Sequence, residues 1–200
     1  MKINFATLLA SSIVLGSCGK REGAIPVDVL GLPFHNEQQV SEAGRILTGV
    51  LSSDESLLGD AKELTLVKVF EAAKPPMTSR GGSREPLAGA YSTEVLVGSS
   101  RKILMGGPYT ALSPGSYLIV YRFQPLREDV EDTHVCFLDV CQKGRTVDPL
   151  RPTPDQVKIG EWNEIAVPLE VKRTLKYEFR LWPRKQRIAI DRIYVYRLDR

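Results

Sequence analysis

"GGPYTALSPGSYLIVYRF", residues 106–123, decides the fold. A glycine pair and a Pro-Gly pair punctuate it, and then Tyr117, Ile119, Tyr121 and Phe123 recur at every second place. Successive side chains of an extended strand point to opposite faces. These four therefore share one side, with Ser116, Leu118, Val120 and Arg122 on the other.

The same period of two runs outward in both directions. "LTLVKVF" (64–70), "AYSTEVLV" (90–97), "RKILM" (101–105), "THVCFLDV" (133–140), "WNEIAVPL" (162–169), "KYEFRLW" (176–182) and "RIAIDRIYVYR" (187–197) join "SYLIVYRF" as eight strand candidates. Short strands rich in Val, Ile, Tyr and Phe, separated by Gly, Pro and Asn turns, predict an antiparallel sandwich or barrel. The absence of strand-helix alternation argues against a parallel sheet. "KPPMTSRGGSREP" (74–86) reads as a breaker-rich loop. In "KYEFRLW" the apolar parity is Tyr177, Phe179 and Leu181, which leaves Trp182 with Lys176, Glu178 and Arg180 on the polar side. In the last strand Ile188 and Ile190 are in one phase and Ile193 and Val195 in the other, which predicts a bulge near Asp191.

The N-terminus gives an address. "MKINFATLLASSIVLGSCGK" has an apolar run from Ile3 to Gly16. That run is shorter than the stretch of roughly 20 residues a spanning helix needs. It reads as a signal segment over residues 1–17. The tetrad Leu15-Gly16-Ser17-Cys18 resembles the lipobox of bacterial lipoproteins. That resemblance implies cleavage before Cys18, acylation of its thiol, and a mature chain held on a membrane by acyl chains worth about 0.8 kcal/mol per buried methylene. Gly19, in place of Asp, leans by the same resemblance toward the outer membrane of the cell envelope. Residues 18–35, with Gly23, Pro26, Gly31 and Pro33, read as a tether. Residues 36–63 read as a neck or helical segment: Asn36 and Gln39 have capping-box spacing, and Val40, Ala43, Leu47 and Val50 follow at helical spacing. The sandwich is expected over residues 64–200.

Composition bounds the rest. Of 200 residues, 183 remain after removal of 17, enough for one domain and a tether. The net charge of +3, or +2 without Lys2, gives little long-range steering and does not imply nucleic acid as a partner. Cys136 and Cys141 lie five steps apart, roughly 16 Å along one extended strand. A disulfide tolerates at most about 7 Å, so they are not expected to pair.

"GGPYTALSPGSYLIVYRF", "FLDVCQKG", "LKYEFRLWP" and "IAIDRIYVYRL", in that order, resemble the jelly-roll domains of carbohydrate-binding modules and galactose-binding-like sandwiches, over roughly residues 64–198. The resemblance implies sugar binding as a class. It also implies a structural calcium between Glu71 in "VFEAAK" and Asp191 in "AIDRIYV", although calcium takes six to eight oxygen ligands and these are two.

For catalysis the chain offers little. Its two histidines, His35 and His134, have no metal-ligand spacing, and there is neither a nucleophile elbow nor a P-loop. Glu128, Asp129, Glu131 and Asp132 crowd into one inter-strand loop and read as solvated. Sugar recognition asks for exposed aromatic faces flanked by polar groups. The candidates are Trp182 with Arg180, then Tyr109, Tyr91, and Tyr194 with Arg192, while Trp162 reads as core edge. The basic C-terminal third, from Lys172 to Arg200, suits either an anionic surface or a solvated edge that resists aggregation. Two functional readings lead: a noncatalytic lipoprotein binding an envelope or captured polysaccharide, and an assembly lipoprotein docking another envelope protein. A lyase or hydrolase on the same fold stands behind them.

Overall fold

A computed structural model describes residues 25–26, 63–99, 101–126 and 133–199. The signal segment, Cys18, the helix expected after Asn36, the acidic loop and all of the tether except residues 25–26 lie outside the described residues. In chain order the strands are β1 (Ile25–Pro26), β2 (Glu63–Glu71), β3 (Ser83–Glu85), β4 (Val95–Gly98), β5 (Thr110–Leu112), β6 (Gly115–Pro125), β7 (Phe137–Gln142), β8 (Arg145–Leu150), β9 (Asn163–Val171), β10 (Leu175–Trp182) and β11 (Ile188–Asp199). One sheet runs β1-β9-β6-β11-β4-β3, with β2 also paired to β11, and the other runs β5-β10-β7-β8. Each pairing is antiparallel. This is the mainly β, antiparallel sandwich that the alternation predicts, of the jelly-roll kind that the resemblance implies.

The core lies between the sheets, and the predicted parities place its side chains. Tyr117, Ile119, Tyr121 and Phe123 of β6 join Ile165, Val167 and Leu169 of β9 and Ile193 and Val195 of β11 from one side. Tyr177, Phe179 and Leu181 of β10 and Leu138 and Val140 of β7 meet them from the other. Burying each such aliphatic or aromatic side chain contributes roughly 1.5–3 kcal/mol. Tyr121 satisfies its buried hydroxyl by donating to the Asp139 carbonyl at 2.8 Å.

The bulge falls where the phase change places it: the β11–β6 register shifts between Ile190 and Arg192. Asp191 sits where β11 exchanges one neighbour, β4, for another, β2.

Other expectations change. Pro26, read as tether, pairs with Ile165 in β1. "RKILM" is not a strand: Leu104 and Met105 are consecutive and both buried in the core, which strict alternation forbids, and only Met105 makes a bridge, to Leu181. "AYSTEVLV" is extended only from Val95, because the Tyr91 and Ser92 N–H groups donate to the Asp191 carboxylate instead of a ladder. "THVCFLDV" enters β7 only at Phe137, and the Val135 N–H bonds the Pro152 carbonyl. Cys136 and Cys141 are both free thiols, buried and pushed up in pKa chiefly by desolvation.

Candidate functional site

Two constellations of polar and aromatic residues stand on opposite outer faces of the sandwich. On the larger sheet, β6 contributes Arg122 and β11 contributes Asp191, opposed across the bulge. Arg122 Nε donates to Asp191 Oδ2 at 3.2 Å, Nη1 lies 3.4 Å from Glu164, and Nη2 donates to the Gly89 carbonyl at 2.7 Å. Its guanidinium carbon is 3.9 Å from the Tyr91 ring centre and 4.8 Å from that of Trp162. Such an arrangement favours a planar cation between two π faces. Asp191 also accepts the N–H groups of Tyr91 at 2.9 Å and Ser92 at 3.1 Å, and Arg192 lies beside it at 3.6 Å. Trp162 donates its indole N–H to the Ala88 carbonyl and packs against Val95, Val97 and Ala189. The cluster pins the 86–94 loop to the sheet.

The second constellation covers the outer face of the four-stranded sheet. Trp182 of β10 is the register partner of Phe137 of β7, both half-buried. The next pair toward the strand centres is Arg180 with Asp139, and the one after it Glu178 with Cys141. Arg180 grips Asp139 through both Nε, at 2.8 Å, and Nη2, while Thr146 donates to Asp139 Oδ2 at 2.9 Å. The hydrogen bonds to Asp139 push the Arg180 pKa up, so the guanidinium is charged throughout the ordinary pH range. Both Asp139 carboxylate oxygens are thereby engaged.

The guanidiniums of Arg180 and Arg151 lie 5.7 Å from the Trp182 ring centre and 5.4 Å from that of Phe137. Toward the other end, Tyr109 is 57% exposed and held at φ 58°. That left-handed conformation is rare outside glycine. Its hydroxyl pKa is raised, first by the charge of Glu178 and then by burial and a hydrogen bond to the same carboxylate. Gly106 makes room for that carboxylate: a Cβ there would lie 2.9 Å from Glu178 Oε1.

The predicted sugar-contacting residues therefore divide. Trp182, Arg180 and Tyr109 share the four-stranded face. Tyr91 and Tyr194 belong to the other sheet, Tyr91 stacked on Arg122 and Tyr194 only 1% exposed, so neither ring is an open platform. Phe137 and Arg151 extend the face, and the sequence reading did not anticipate them. The signal for Phe137 is its parity with Asp139, opposite to the core residues Leu138 and Val140.

Glu71 and Asp191 do not fit a calcium ion. Asp191 already receives two backbone N–H groups and faces two arginines, and the Glu71 carboxylate pairs with Lys74 at 2.7 Å. Among the described residues no group of three or more candidate metal ligands comes together. Of the basic C-terminal residues, Arg180, Arg187 and Arg192 are engaged by Asp139, Glu85 and Asp191.

The fold and this face define a class: an antiparallel β-sandwich whose smaller sheet presents an aromatic and charged outer surface. No protein family and no curated protein matches the sequence. Among solved structures the chain is similar to carbohydrate-binding modules. A family 35 module from Clostridium thermocellum is 13% identical, with 64% of this chain and 98% of that one covered and a TM-score of 0.49. A module of Cellvibrio mixtus lichenase 5A in complex with cellotriose is 14% identical, covering 66% and 97%, TM-score 0.46. A xylan-binding domain from Paenibacillus barcinonensis is 9% identical, covering 68% and 96%, TM-score 0.45. Likeness at this level is one of architecture.

Proposed function

We propose that the protein is a noncatalytic lipoprotein of the bacterial envelope, held by acylated Cys18, whose four-stranded sheet binds a polysaccharide across Trp182, Phe137 and Tyr109. The observation that carries this reading is the Trp182–Phe137 register pair, two aromatic residues opposite each other on an outer sheet face with a guanidinium near each ring. Sugar C–H groups pack on such rings, and charged and amide donors beside them bond hydroxyls. The left-handed backbone of Tyr109 adds support. Holding a non-glycine residue there costs about 1–2 kcal/mol, and such strain clusters at ligand-contacting sites. Ile25 lies in β1, only seven steps from Cys18. Seven steps span at most about 25 Å, so the sandwich rides close to the membrane.

The test is affinity electrophoresis of the chain lacking residues 1–18 through gels containing single polysaccharides, run with calcium and with chelator. The expected result is retardation by one class of polymer in both buffers, since Asp191 is held by arginine. Mobility unchanged by every polymer would defeat the reading. In that case a docking role gains weight, supported by β2, which among the described residues pairs with β11 alone and whose Val67 and Val69 are 41% and 40% exposed. An exposed edge is a template for pairing with another chain.

A further inference from the structure

The outer face of the four-stranded sheet carries charge in a pattern that its registers fix. Arg151, one step past β8, falls opposite Phe137, and Phe137 opposite Trp182, so the three make one row across β8, β7 and β10. Asp139 and Arg180 share the next row, and Cys141 and Glu178 the one after. Lys176, opposite Ala111 of β5, closes the far end, about 20 Å along the strand from Trp182. The two carboxylates that the registers place on this face are withdrawn from solvent. Asp139 is 0% exposed and gripped by Arg180, and Glu178 is 9% exposed and bonded to Tyr109. Arg151 and Lys176 are exposed and make no ion pair among the described residues. Asp155, exposed in the turn that follows Arg151, is not paired with it. The charge this face turns to solvent is therefore positive at both ends.

The backbone adds a second observation. Among the described residues, the non-glycine positions with positive φ are Tyr109 at 58°, Lys143 at 48°, Arg184 at 53° and Lys185 at 75°. All of them stand at strand ends of this one sheet: Tyr109 before β5, Lys143 in the turn from β7 to β8, Arg184 and Lys185 after β10. Lys143 with Gly144, and Arg184 with Lys185, hold positive φ at two consecutive positions, as type I′ turns do. The Gln186 N–H closes the second turn by donating to the Pro183 carbonyl at 2.9 Å. Such turns favour Asn-Gly, so Arg-Lys at both central positions runs against local preference. Protection of a sheet edge asks for Lys and Arg but not for left-handed backbone. Strain of this kind gathers instead where ligands are clamped. Here it falls on basic residues at both ends of the aromatic face.

We propose that the ligand of the four-stranded face is an anionic polysaccharide, carrying carboxylate or sulfate groups along its chain. Arg151 and the Arg184-Lys185 turn meet those groups at the Trp182 end, and Lys176 and Lys143 meet them at the other. Exposed charges are screened within about 8 Å at physiological salt. Two cationic ends about 20 Å apart are therefore beyond the reach of one small anion, and they call for charge that repeats along a chain. The inference rests on the glycan reading above and names the class of glycan.

The test is affinity electrophoresis of the full chain in non-ionic detergent, through gels containing polygalacturonate, its fully methyl-esterified form, a sulfated galactan or an uncharged glucan. Flotation with vesicles of phosphatidylglycerol or phosphatidylcholine runs beside it. The expected result is retardation by polygalacturonate or the sulfated galactan and not by the esterified polymer, which keeps the backbone and loses the charge. Arg151→Gln and Lys176→Gln should each weaken that retardation about tenfold, the loss of one hydrogen-bonded charge contact. Arg84→Gln, the same charge change on exposed β3 of the other sheet, should leave it unchanged. Equal losses in all three variants would reduce the effect to net charge and overturn the inference. Retardation by uncharged polymers as strong as by charged ones, and lost in Trp182→Ala, would overturn the anionic class and keep the glycan reading. Retardation by no polymer would overturn both. So would flotation with phosphatidylglycerol alone that Arg151→Gln and Lys176→Gln abolish, since it would give this face to lipid headgroups.

Discussion

Replacing Asp191 with alanine is expected to lower the midpoint of thermal unfolding by about 10 °C. The carboxylate is fully buried and accepts from Tyr91 N–H, Ser92 N–H and Arg122 Nε, so its loss orphans two backbone donors and leaves a buried guanidinium short of its counter-charge. Breaking a buried pair from one side costs about 3–5 kcal/mol. At roughly 2–4 °C per kcal/mol for a domain of this size, the midpoint falls by that amount. Arg122→Met is expected to cost a similar amount. The double variant Arg122→Met/Asp191→Ala should cost less than the sum of the two, because each single change already removes the shared interaction. Calorimetry of the four proteins measures the coupling. A midpoint that drops in chelator for the unaltered chain would instead indicate a bound cation at Asp191 and overturn the assignment to arginine.

Trp182→Ala is expected to weaken polysaccharide binding about 30-fold or more. Aromatic anchors at the centre of a binding surface cost about 2 kcal/mol or more on truncation. Each step of about 1.4 kcal/mol is tenfold in affinity. The loss should come without unfolding, because the ring lies on the outer face, opposite to Phe179 and Leu181 in the core. Isothermal titration with the retarding polymer gives the affinity, and circular dichroism confirms the fold. Tyr91→Ala serves as a contrast: it strips one face of the Arg122 sandwich and should lower stability while leaving affinity intact. Equal affinity in Trp182→Ala and the unaltered chain would remove the platform from the account.

The alternation in "SYLIVYRF", "KYEFRLW" and "RIAIDRIYVYR" sufficed for the core, the parity of Trp182 and the bulge at Asp191, because each is a local consequence of a two-residue period. β8, "RTVDPL", stayed hidden because it is an exposed strand with a proline and no regular apolar alternation. The roles of Tyr91, Tyr194 and Arg122 were equally hidden, for a different reason. Arg122 and Asp191 are 69 residues apart and meet only through the β6–β11 register. Tyr194, offered by its parity as an exposed aromatic, is only 1% exposed. Glu71 and Asp191 looked like a ligand pair because proximity in the fold can be carried over from a resemblance, but the charge of the neighbours cannot.

The central claim, that a glycan lies on Trp182, has a direct reporter. The chain has two tryptophans, and Trp162 is fixed by its hydrogen bond to Ala88 and its contact with Arg122. In Trp162→Phe, Trp182 is the sole indole, and its emission can be followed while the polymer that retards the protein is titrated. The account predicts a saturable change in Trp182 emission whose midpoint matches the calorimetric affinity, absent in Tyr109→Ala at the same polymer concentrations. Binding that saturates with no change in Trp182 emission would put the ligand elsewhere and contradict the account.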